Sequence, residues 1–199
     1  MTIPTLVQNY KKKIVETRLL KVYSTMNNAI KLSSIDNGAP STWERLGSSW
    51  DSEATYSDIY AWFNKYLANY MRYSKLEEGE GATLKVYFHD GSMLRFANYI
   101  YDISYILNPD KCGNVDDTNC RYGSDVFQFQ FLSQSAKERF EPYAYSWDGT
   151  IDGAKYDAIS GGSSYGCYDD FSLPGAGALC TKLIQLNNWK IPDDYPHKF

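Results

Sequence analysis

Cysteine and histidine are the residue types through which this chain could most readily do chemistry. It carries four of the first and two of the second in 199 residues. The cysteines are Cys112, Cys120, Cys167 and Cys180. None forms a C-x-x-C pair and no histidine stands near them at zinc-finger spacing, so a structural zinc site is not expected. Four cysteines allow three pairings. The sequential one, Cys112–Cys120 with Cys167–Cys180, closes two short loops, for about 2.5 and 3 kcal/mol of loop entropy. It is preferred because CGNVDDTNC has no core of its own and a covalent clip would organise it. The alternative is four reduced, buried thiols in a cytosolic protein. Disulfides imply export, yet Met1 opens no signal peptide.

Catalysis has little to stand on. His89 sits in a turn and His197 in the terminal tail, and neither is placed to orient a nucleophile. Neither G-x-S-x-G nor a P-loop occurs, and no carboxylate pair stands in a recognisable acid/base context. The chain is therefore not expected to be an enzyme. DGTIDG at 148–153 loosely resembles an oxygen-ligand calcium loop but lacks the downstream bidentate Glu. Asp116 and Asp117 are a second such place. No cofactor is expected, with calcium the one candidate cation.

These residues need elements to hold them. Hydrophobic residues are 43% and charged residues 22%, enough for a packed core. No run approaches the ~18 apolar residues of a membrane span. Residues 5–36 read as one helix, with Leu6, Tyr10, Ile14, Val15, Leu19, Val22, Tyr23, Met26, Ala29, Ile30 and Ser33 at steps mostly of three and four. Asn37-Gly38 and Pro40 stop it. At ~1.5 Å per residue the rod is about 48 Å long. That exceeds the width of such a domain, so TIPTLVQNYKKK is expected to project or to pack on something outside this chain. A second helix is predicted over 57–74, N-capped at Ser57-Asp58, with Ile59, Trp62, Phe63, Tyr66, Leu67, Tyr70 and Met71 as its apolar stripe. EEGEG at 77–81 reads as a break. Strands follow at 82–88, 93–98, 99–107 and 125–132. In the last, Phe127, Phe129 and Phe131 share one face. Residues 133–175 read as irregular, 176–187 as helix and the rest as an extended tail. The whole is an α+β single domain over 1–199. Its parts are a helical spine (1–36), a loop and second helix (37–81), an antiparallel sheet (82–132) and a loop-rich region (133–199).

Charge is unevenly spread. The net charge is −4, yet Lys11, Lys12, Lys13, Arg18 and Lys21 face only Glu16 among the first 21 residues. A basic segment on an acidic body suggests lipid head groups, an acidic partner or nucleic acid; the plain reading is a solvated helix face. Tyrosine, at 18, is abundant. Those around 143–168 serve either loop cores or an outward binding face.

The run PTLVQNYKKKIVETRLLKVYSTMNNAIKLSSIDNG resembles the region that follows the membrane-embedded segment in type IV pilin-like proteins. FHDGS (88–92), GSDVFQF (123–129) and CTKLIQLNNWKIPDDYP (180–196) resemble further parts of that family. The resemblance implies a pilin or pseudopilin: a structural subunit of a type IV pilus-like or type II secretion-like filament. A leader and an apolar half-helix would precede this chain. Partners would be other copies or related pilins, and the inner membrane through that upstream segment, with nucleic acid meeting only the assembled filament. The subunit would be membrane-anchored first and then part of a surface filament, in the cell envelope or outside the cell. Tyr10, Lys11, Lys12, Lys13, Ile14 and Arg18 would lie on the assembly helix. A stand-alone secreted binding module, one recognising carbohydrate through Trp and Tyr, is the alternative.

Overall fold

The computed structural model describes residues 3–46, 54–97, 102–113, 120–132, 138–145, 147–156, 165–168 and 175–199. The first helix, α1, runs Ile3–Asn37. Gly38 ends it at φ +76°, a left-handed conformation that a side chain resists. Val15, Leu19, Val22, Met26, Ala29, Ile30 and Ser33 are its buried stripe, as their spacing predicts.

Among the described residues, six antiparallel strands form one sheet in chain order: β1 (Lys75–Gly79), β2 (Thr83–Tyr87), β3 (Met93–Phe96), β4 (Asp102–Ile106), β5 (Val126–Leu132) and β6 (Arg139–Pro142). The register lines up whole rows. Leu84, Phe96, Ile103 and Phe129 lie across from one another, as do Val86, Leu94, Tyr105 and Phe127. These rows share one core with the α1 stripe. The row between them, Lys85, Arg95, Ser104 and Gln128, points the other way, because side chains alternate along a strand. That second face is polar except at one end, where Met93, Ile106 and Val126 pack under Cys112.

Both sheet edges are managed. At β6, the Asn27 side chain donates to the Phe140 carbonyl (2.9 Å) and accepts from the Phe140 N–H (3.1 Å), so α1 occupies hydrogen-bonding groups a further strand would use. At β1 the edge carries the charges of Lys75, Glu77 and Glu78.

Five expectations need correction. The second helix, α2, is only Tyr56–Tyr66, followed by a short 3-10 turn at Ala68–Tyr70. Its cap is Thr55, in a reciprocal box with Asp58, not Ser57-Asp58. The segment over 75–79 is strand, not a break: pairing with β2 outweighs the poor strand propensity of Glu and Gly. Residues 133–175 contain β6 and a short helix, α3 (Ile151–Tyr156). A four-residue strand ending in proline offers too little alternation to read. Helix α4 is shorter than predicted, Cys180–Leu186, and packs on β5 and β6.

Candidate functional site

The first turns of α1 leave the body. Leu6, Val7 and Tyr10 are 61%, 46% and 67% exposed, and among the side chains described from Leu6 onward the first buried one is Val15. Lys11 and Lys13 are exposed, while Lys12, Ile14 and Arg18 are half-buried. Among the described residues, no helix is long and apolar enough to cross a membrane.

The six residues expected on the assembly helix therefore divide. Lys11, Ile14 and Arg18 line an open groove of about 610 Å³ between α1, the end of β4, the start of β5 and the C-terminal tail. Tyr10, Lys12 and Lys13 do not. Arg18 is held in place: its guanidinium donates to the carbonyls of Asp90 (2.9 Å) and Leu107 (3.3 Å). Glu16, the one acid in this segment, accepts from Lys190 Nζ and from the Ile191 N–H, both at 2.9 Å. It ties the tail to the helix.

One turn further on, Lys21 reaches Asp90 Oδ2 at 3.1 Å. Burial pushes the Asp90 carboxyl up. The Ser92 hydroxyl, Lys21 and the Ser92 N–H outweigh it and leave Asp90 below the usual carboxylate range. A depressed folded-state pKa stabilises above the ordinary value near 3.9, and that contribution is lost as pH falls through the lower folded value. Acid is thus expected to loosen α1 from the 88–92 turn. An Asp90→Asn variant should lose part of the acid limb of the stability–pH curve; an unchanged limb would show that Asp90 does not couple helix and hairpin.

The structure joins Cys112 to Cys120 and Cys167 to Cys180, the sequential pairing. His197 is the surprise. Far from lying in an extended tail, it is buried, with Nε2 3.4 Å from Cys180 Sγ. Gly123, at φ +83°, makes room: a Cβ there would stand 2.5 Å from that sulfur and 2.7 Å from the imidazole. Tyr195 donates to the Gly123 carbonyl at 2.6 Å, and its burial raises its phenol well above the ordinary value. The tail is latched on the disulfide. The ligand atoms of Cys167, Cys180 and His197 lie within 4.8 Å of one another. Both sulfurs are committed to the disulfide, so neither is the thiolate that a metal or a nucleophilic reaction needs.

The other expected places do less. Asp148 accepts from the N–H and hydroxyl of Thr150, both at 2.8 Å, so DGTIDG begins as an Asx turn. Asp116 and Asp117 lie outside the described residues. The tyrosine-rich turns hold small cores: Tyr143 is buried with Ala178 and Leu179, and Tyr165 and Trp147 pack on them. Tyr145 remains exposed. Sequence reasoning missed Glu141, a buried carboxylate that meets Arg139, Tyr23 and Gln185. No local pattern announces it, because its partners come from three elements.

The helix-on-sheet arrangement is consistent with a generic pilin-like architecture. No curated protein and no solved structure matches the chain. A family model does match, over residues 5–199. The chain belongs to that family, which is described as a family of unknown function, DUF6613.

Proposed function

We propose that the chain is a structural subunit of a type IV pilus-like or type II secretion-like filament, assembled through α1. One observation carries this reading: a 35-residue helix, about 52 Å long, whose first turns expose Leu6, Val7 and Tyr10, none of them joining the core among the described residues. Apolar packing of those turns against neighbouring copies gives a head-to-tail contact that does not close, and such contacts make filaments. The body faces outward, its loops pinned by the two disulfides. Lys11, Lys12 and Lys13 lie where the helix leaves the body and meet acidic residues of the next subunit. Changing all three to Glu is expected to abolish filaments in the parent organism, read by electron microscopy. Filaments of normal number would discard the lysine contact.

A second reading, a stand-alone carbohydrate-binding module, draws on another groove, of about 580 Å³, lined by Asn28, Asn69, Tyr70, Arg72, Phe88 and His89. It leaves the exposed turns of α1 without a role.

A further inference from the structure

Positive charge gathers at one end of a chain whose net charge is −4. The groove beside α1 takes Lys11 and Arg18 from the helix and Lys198 from the tail. It also takes Lys111 and Arg121, which flank Cys112 and Cys120 in the sequence, so the Cys112–Cys120 clip brings the two cations to one rim. Five cationic side chains from four stretches of chain line the groove beside one acidic side chain, Asp125, which Lys111 contacts at 2.7 Å. The two carbonyls that orient Arg18 are neutral acceptors. Ile14, Val15, Leu107 and Phe199 make the rest of the lining partly apolar. On the adjoining turns of α1 stand the exposed Leu6, Val7 and Tyr10.

Cations beside exposed aliphatic and aromatic side chains are what a lipid interface selects: phosphates take the charge, and the head-group boundary takes an amphipathic ring. We infer that this end of the molecule docks on an anionic bilayer, the groove cations on lipid phosphates and Leu6, Val7 and Tyr10 in the interface. A nucleic acid would satisfy the cations but leave those apolar side chains in water. A second copy takes these same turns in the assembled filament proposed above, so the bilayer contact belongs to the free subunit. The inference does not depend on the chain forming filaments.

The test is co-sedimentation of the 199-residue chain with vesicles, either phosphatidylcholine alone or mixed with phosphatidylglycerol. Binding is expected only to the anionic vesicles. Each cation near such a surface changes partitioning roughly fivefold, from about 1 kcal/mol apiece. The double change Lys11→Glu/Lys198→Glu, at two exposed positions, is therefore expected to lower binding at least about 25-fold. Lys31→Glu/Lys65→Glu, outside the groove, should change it far less, and circular dichroism confirms that each variant is folded. Equal binding to both vesicle types overturns the inference, as does anionic binding indifferent to Lys11 and Lys198. Tighter binding to a short DNA strand overturns it in favour of nucleic acid. Self-association that the Lys11/Lys198 variant loses, with vesicle binding intact, overturns it in favour of a second copy.

Discussion

Replacing Cys167 and Cys180 together by Ser is expected to lower stability by about 3 kcal/mol, from the entropy restored to the loop between them. For a chain of this size that corresponds to a fall in Tm of about 6–12 °C. The effect should exceed that of opening Cys112–Cys120, which closes a shorter loop and caps only the end of the second sheet face. The larger consequence is positional. Cys180 opens α4, Cys167 accompanies it in the main core, and the same sulfur supports His197. Without the disulfide, the tail keeps the Tyr195–Gly123 bond and the Glu16 contacts but loses its anchor. Limited proteolysis within 188–199 should accelerate in the serine variant and, more weakly, in His197→Ala. Effects of touching residues are not additive, so the triple variant is expected to fall short of the summed losses. An unchanged Tm and an uncut tail would show that the disulfide does not latch it.

How much of this was legible depended on the range of the signal. The α1 stripe from Val15 to Ser33 and the three phenylalanines of β5 are periodic, and periodicity is local information; both faces are as their spacing predicts. The α2 stripe was legible too, but its last members, Leu67 and Met71, are buried beyond the α-helix, so apolar spacing overstated the helix. Strand β1 was illegible because it exists through its pairing with β2. Asn27 gave no sign that it would face the edge of a strand more than a hundred residues away. For the candidate site, spacing placed Lys11 and Arg18 on one helix, but only folding brings Lys111, Arg121 and Lys198 to them. His197 was misread for the same reason: its partner is distant in sequence, and a terminal Pro-rich segment carries no signal of burial.

The proposed assembly surface is the exposed first turns of α1. Leu6 and Tyr10 make no side-chain contribution to the core, so changing them should cost the isolated fold about 0.5 kcal/mol or less. A charge at either position, buried against a neighbouring helix, would cost several kcal/mol per contact, and a filament repeats that contact in every subunit. The direct measurement is electron microscopy of the parent organism carrying Leu6→Asp/Tyr10→Asp, with the Tm of the purified variant as the control. The account predicts a folded, accumulated subunit and no filaments. Filaments of ordinary length and number containing the variant would contradict it.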